Sequence, residues 1–271
     1  MSQEAFPDQD PFQQSRELAE ALLECASEFD IETPLTTSTL LRVLTGLSAA
    51  PNTVFPEAPS YRRECPGEPI LRPGARLGSS HRFFDVVEAR TSRRDFSNRP
   101  LSAESLISLL AWTFAKRDEV IAYDWRDAPL RYVPSAGGLA SVDAYVVVNN
   151  VDQVPNGSYY YDFERGLVPR IEAEMGEKLA NLVPGTSWLT RAGAVIIFVS
   201  NADRVEHKYQ SMGAKLSMLD AGVAVGHADL VANALELRSC IIGALPAEDA
   251  ADLLGLDSHQ VAIVSLAVGS R

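Results

Sequence analysis

"AGAVIIFVSN", residues 192–201, is an almost unbroken run of β-branched and aromatic residues. Such a run reads as a strand covered on both faces rather than one with a wet side. It places a sheet at the centre of the fold, and the surrounding sequence shows what covers that sheet. A polar stretch, "HKYQSMGAK" (207–215), follows, and then a helical pattern over 216–237 whose apolar positions are Ala, Gly and Val. Small residues let a helix lie close against another backbone, so this helix is expected at the centre of the domain or of a dimer. "QVAIVSLAVG" (260–269) and "VDAYVVVNN" (142–150) supply further strands. "NGSYYYDFERGLVPRI" (156–171) has turn signals at Asn156-Gly157 and at Glu164 to Gly166, which predicts a hairpin. Helices are predicted in "FFDVVEA" (83–89) and in "SAESLISLLAWTF" (102–114), the second behind a Ser cap. This mixed order lacks the strand–helix alternation of a doubly wound sheet and points to an α+β fold.

The N-terminal part has a different character. Short amphipathic helices are predicted in "SRELAEALLECASEF" (15–29) and "TTSTLLRVLTGLSA" (36–49), and residues 51–75 carry six prolines. Residues 1–80 are therefore expected to form a helical and Pro-rich arm, and residues 81–271 the body that carries the chemistry.

A length of 271 residues, 46% hydrophobic, suits one large globular domain or two small ones. The net charge of −12 argues against nucleic acid or an anionic membrane as partner. The three cysteines, Cys25, Cys65 and Cys240, show neither disulfide nor zinc spacing, and the four histidines are scattered without metal-ligand spacing. No secretory signal or run of eighteen apolar residues occurs, so a cytoplasmic protein is expected.

Three segments could carry chemistry. In "ARTSRRDFSNRPLS" (89–102), Arg90, Ser92 and Arg94 alternate. In an extended chain all three point one way, and guanidinium groups match phosphate oxygens. A solvated basic loop is the competing reading. "PSAGG", Pro134, Ser135, Ala136, Gly137 and Gly138, precedes a strand. Its glycines permit close approach of a flat ligand or of another backbone, and a plain turn is the alternative. Ile242, Gly243 and Ala244 precede a Pro that starts a helix. No metalloprotease, P-loop, nucleophile-elbow or dinucleotide fingerprint is present.

Taken in order, these segments resemble the flavin-dependent nitroreductase superfamily over about residues 83–269. The resemblance implies a central mixed, mostly antiparallel sheet flanked by helices, two copies intertwined as a homodimer, and FMN as cofactor. It implies that Arg90, Ser92, Arg94 and the C-terminal Arg271 hold the FMN phosphate and ribityl tail, and that backbone at Ile242, Gly243 and Ala244 lies by the flavin ring. It also implies that each FMN site is built from both subunits. "RYVPSAGGLASVDAYVVVNNVDQVPNGSYYYDFERGLVPR" (131–170) is similar to the azoline dehydrogenase (SagB-type) branch. Such enzymes oxidise thiazoline or oxazoline rings of a peptide to thiazoles or oxazoles. That resemblance assigns Lys208 and Tyr209 to proton removal, with a peptide or carrier-bound azoline as substrate and a cyclodehydratase as possible partner. The chain departs from the branch at Gln210-Ser211, where a Gly-x-Arg pattern is common, and at Glu236-Leu237, where a Gly-Leu step is common. Reduction of nitro, quinone or enone substrates by NAD(P)H, and a noncatalytic role in a biosynthetic complex, stay open.

Overall fold

The computed structural model describes residues 65–271 apart from 75, 123–124, 172–174, 184 and 258, with the side chains of 119–128 and 211 also outside the description. The two helices expected before residue 50 lie outside the described residues.

Six strands form the main sheet: β3 (Val142–Val148), β4 (Gly157–Asp162), β5 (Gly166–Ile171), β6 (Ala194–Asn201), β7 (Arg238–Ile242) and β8 (Gln260–Gly269). Their order is β5-β4-β3-β6-β8-β7, and every neighbouring pair is antiparallel. β6, the stretch that decided the fold, lies between β3 and β8 and is buried at all eight positions. Its Ile196 and Phe198 join one core with Val146 and Leu266, whereas Ile197 and Val199 join the other with Tyr145 and Ala267. A register shift lets Val264 pair with Phe198 and Ala262 with Val199, so Ile263 is an inserted residue and β8 keeps both faces filled.

One face of the sheet is covered by α2 (Ala103–Phe114) and α5 (Gly213–Ala234). Ser102 caps α2 by accepting the Ser105 amide at 3.3 Å. In α5, Ala221, Ala224, Ala228 and Ala232 are buried, while Met218, Leu219 and Val223 are exposed on the other side. The other face carries α3 (Gly176–Leu182) and α6 (Ala247–Leu254). The long helix spans Gly213–Ala234 rather than the expected 216–237, and its first residue, Gly213, lies directly against Glu206.

The sequence pattern did not anticipate three features. Residues 116–131 form a separate hairpin, β1 (Lys116–Ala122) with β2 (Trp125–Arg131), leading straight into the 134–138 turn. Lys208 and Tyr209 end a short helix, α4 (Asp203–Tyr209). The end of the Pro-rich arm is extended, as expected, but it is packed. Cys65 is buried in the second core, and Leu71 bridges to Leu167 on β5. Further along, Arg76 lies over the rings of Trp112 and Tyr132, at 4.5 and 4.6 Å from their centroids, and the two rings meet edge to face at 5.1 Å. α1 (Phe83–Ala89) then leads into the arginine segment.

Candidate functional site

Local geometry at 134–141 follows from its glycines. Gly137 and Gly138 have φ of 61° and 73°, a region that costs a Cβ-bearing residue about 1–2 kcal/mol. Ala140 adopts φ 48° despite its Cβ. It is held there because its amide donates to Ser135 Oγ at 2.9 Å and its carbonyl accepts from Arg204 Nη1 at 3.0 Å. The missing Cβ at Gly137 also has a packing reason. A Cβ there would lie 2.8 Å from Tyr209 Oη, 3.2 Å from Tyr209 Cε2 and 3.4 Å from Lys208 Nζ. The fold therefore joins two candidate segments more than seventy residues apart, the Pro-Ser-Ala-Gly-Gly turn and the Lys-Tyr pair. Lys208 Nζ sits 4.8 Å from the Tyr209 ring centroid, and both side chains are partly accessible. His207 is buried, and burial pushes its imidazole below the ordinary value.

What holds α4 against the turn is a buried ion cluster. Arg204 donates to both oxygens of Asp143, at 2.9 and 2.8 Å, and Arg131 Nη2 donates to Asp143 Oδ1 at 3.2 Å. Asn201 Nδ2 adds a further bond to Asp143 at 3.0 Å. Burial alone would raise the Asp143 carboxyl, but the Arg204 and Arg131 guanidiniums outweigh it and hold the group below the usual carboxylate range. The turn has a second anchor in Asp220 on α5. Its Oδ1 accepts the Ala136 amide at 2.8 Å and its Oδ2 accepts Ser141 Oγ at 2.7 Å.

Of the arginines in the 89–102 segment, Arg90 attaches to a different part of α5. Residues 90–96 run extended beside β7, with the Arg93 amide donating to the Ser239 carbonyl at 2.7 Å. Arg90 Nη1 reaches Asp229 at 3.5 Å, and Asp229 also accepts Ser239 Oγ at 2.6 Å. Ser92 and Arg94 are exposed, and Arg94 lies 5.7 Å from the Trp188 ring centroid. Phe96 is buried and packs on Trp188. The chain end is beside this segment, because the Ser97 amide donates to the Ser270 carbonyl at 3.3 Å, which brings the exposed Arg271 near it. Ile242 is buried at the end of β7, whereas Gly243 and Ala244 are exposed, and a Cβ on Gly243 would meet no atom within 4 Å.

The structure thus gathers Arg90, Ser92, Arg94 and Arg271 with the strand that ends at Ile242, and gathers Pro134 to Gly138 with Lys208 and Tyr209. The two groups attach to α5 at Asp229 and Asp220, about two and a half helical turns apart. FMN fits this donor set. The first group offers guanidinium and hydroxyl donors for a phosphate, and Gly243 leaves open space for a ring. Asp143, Arg204 and Asp220 were not singled out in the sequence, although an Asp inside the apolar run "VDAYVVV" signals a buried partner. Among the described residues no cluster of His, Cys, Asp or Glu is arranged to hold a metal ion, and no helix is long and apolar enough to cross a membrane.

Comparison with known proteins assigns the family. The model of the "Nitroreductase family" matches residues 87–270. The chain belongs to the nitroreductase family. A protein of Methanocaldococcus jannaschii that carries the nitroreductase name is 26% identical over 181 residues, 66% of this chain and 87% of that one. Among solved structures, one of a protein from Anabaena variabilis also named a nitroreductase matches with a TM-score of 0.58 at 21% identity; the match covers 69% of this chain and 38% of that one. The NADPH:FMN oxidoreductase of Vibrio harveyi, complexed with NAD+, matches with a TM-score of 0.50 at 16% identity, over 69% of this chain and 68% of that one. The E. coli microcin synthetase McbBCD complex, with truncated pro-MccB17 bound, matches with a TM-score of 0.53 at 16% identity, over 92% of this chain and 97% of that one. These likenesses establish the α+β nitroreductase-like fold, and membership makes the chain a nitroreductase-family oxidoreductase.

Proposed function

We propose that this nitroreductase-family chain is an FMN-dependent dehydrogenase that oxidises a thiazoline or oxazoline ring, carried on a peptide or a carrier, to the thiazole or oxazole. The observation that carries the reading is the contact of Gly137 with Tyr209 and Lys208, which sets a proton acceptor and a cation together against the glycine turn. Likeness in fold over 92% of the chain to a chain of the microcin synthetase complex is compatible with it, and a cyclodehydratase is the partner class that the azoline reading itself implies.

Aromatising an azoline removes a proton from one ring carbon and a hydride from its neighbour. Bound FMN would supply the two-electron acceptor for that hydride, with molecular oxygen as the final oxidant. Arg90, Ser92, Arg94 and Arg271 would hold its phosphate and ribityl tail, with backbone at Ile242 to Ala244 and at Pro134 to Gly138 beside its ring. Tyr209 Oη is the acceptor placed for the proton, and the Lys208 ammonium stands over its ring. Exposed apolar residues Met218, Leu219 and Val223 on α5 and Phe83, Phe84 and Val87 on α1 support a homodimer in which each FMN site draws on both subunits.

The test is incubation of the purified yellow protein with an azoline peptide, followed by mass spectrometry. Loss of the mass of two hydrogens per ring is expected, and Tyr209→Phe should slow it by about 10²-fold or more. Absence of that loss, together with rapid bleaching of the flavin by NAD(P)H, would replace this reading with a reductase of nitro, quinone or enone substrates. A colourless protein without flavin would point to a noncatalytic subunit of a complex.

A further inference from the structure

Tyr209 and Lys208 touch the Gly137 turn, but neither fixes that turn in place; α5 does, through one carboxylate. Asp220 is 7% exposed, and its two oxygens are divided between the Ala136 amide, inside the turn, and the Ser141 hydroxyl, where the chain enters β3. These two bonds bracket Gly137 and Gly138, in a left-handed region that glycine enters freely, and Ala140, a non-glycine in the same region. A left-handed non-glycine persists only where its surroundings over-determine it. Ser135 Oγ and Arg204 brace Ala140 from the other side, but the Ala136 amide is held by Asp220. Displacement of Ala136 carries Gly137 with it, and Gly137 is in contact with the Tyr209 hydroxyl.

We propose that Asp220 is the positioning residue of the Lys208–Tyr209 pair: it touches neither side chain, but by holding Ala136 and Ser141 it fixes the Gly137 backbone against which Tyr209 Oη is set. The inference rests on the proposed role of Tyr209 for its functional meaning, but not for its test, which needs neither substrate nor FMN turnover. A second buried carboxylate on the same helix, Asp229, serves as the internal control, because it is bonded to Arg90 and Ser239 and not to the turn.

The experiment uses the full-length protein labelled with 3-fluorotyrosine, with the Tyr209 fluorine resonance assigned among the eight tyrosines by its loss in Tyr209→Phe. Asp220→Ala removes both acceptors and is expected to move the Tyr209 resonance. Asp220→Asn keeps an acceptor for the Ala136 amide and can donate to Ser141 Oγ, so it should restore the wild-type position. Asp229→Asn should leave Tyr209 where it is. Where Asp220→Ala does not fold, Ser141→Ala removes one of the two bonds and must still displace the resonance. An unmoved Tyr209 resonance in folded Asp220→Ala or in Ser141→Ala, or an equal displacement by Asp229→Asn, overturns the proposal. A displaced Tyr209 in a protein that oxidises no azoline would leave the positioning role standing and reject the proposed reaction.

Discussion

Asp143 and Asp220 are both buried aspartates that flank the same short segment, yet the fold satisfies them in opposite ways. Asp143, on β3, is gripped by the guanidiniums of Arg204 and Arg131 and by Asn201. Asp220, on α5, meets a backbone amide and a hydroxyl, both neutral. Two cations hold the Asp143 carboxyl below the ordinary range. For Asp220, burial dominates the two hydrogen bonds and pushes the carboxyl up. The first cluster joins β2, β3 and α4 into a scaffold through charge. The second keeps a turn in place without fixing a charge on it.

Breaking the charged cluster should have the largest effect. Asp143→Asn leaves two buried guanidiniums facing a neutral amide, and losing one partner of a buried pair typically costs about 3–5 kcal/mol. Urea unfolding should show this loss of stability, and Tyr209 should shift in its spectrum because α4 loses its anchor. A variant as stable as wild type would show that the cluster contributes nothing net to the fold.

Next in size is Gly137→Ala. Left-handed backbone costs an alanine about 1–2 kcal/mol, and the added Cβ would lie 2.8 Å from Tyr209 Oη, so the tyrosine has to move. Stability should fall modestly, whereas any reaction that uses Tyr209 should fall by about 10²-fold or more. Equal loss in both measurements would argue that the glycine serves folding alone.

pH separates the two aspartates by sign. Asp143 has a folded pKa below its unfolded value of about 3.9, so it contributes stability that is full above that value and is lost as pH falls through the depressed one. Asp220 has a raised folded pKa, so its contribution is full below about 3.9 and is lost as pH rises through the raised value. Compared with wild type, Asp220→Asn should therefore gain stability as pH rises from acid to neutral, and Asp143→Asn should lose it. Unfolding free energies measured at the two ends of that range would show whether the slopes oppose.

How much of this was legible in the sequence depends on whether a signal was local. β6, β8, the β4–β5 hairpin, α2 and α5 each carry their own periodicity or cap, and all were anticipated. α4 was not, because "DRVEHKY" is polar and its helix is held by Arg204 reaching β3 rather than by an apolar stripe. The β1–β2 hairpin lacks a clean alternation in "KRDEVIAYDWRDAPLR". Within the candidate site, Gly137 and Tyr209 were each visible, but their contact spans seventy-two residues and depends on where α5 places Asp220. One local clue was present and unused: Asp220 and Asp229 interrupt the small-residue face of a helix, where a carboxylate needs a partner.

The smallest expected effect lies at the edge of the same region. Arg76, from the end of the Pro-rich arm, stands over the paired rings of Trp112 on α2 and Tyr132, two residues before the Pro134 turn. The Trp112 indole is fixed in turn by donating to the Leu77 carbonyl at 2.8 Å. Arg76→Ala removes an exposed cation–π contact, typically about 0.5–1 kcal/mol, and frees the Tyr132 ring on one side. Lys at this position keeps the charge but loses the planar stack, so Arg76→Lys should recover only part of the loss. Full recovery by Lys would mean that charge, not stacking, ties the arm to the turn. Because Arg76 is bonded to neither aspartate, its effect should add to that of Asp220→Ala in a double variant. A large non-additive term would instead show that the arm and α5 grip the turn as one unit.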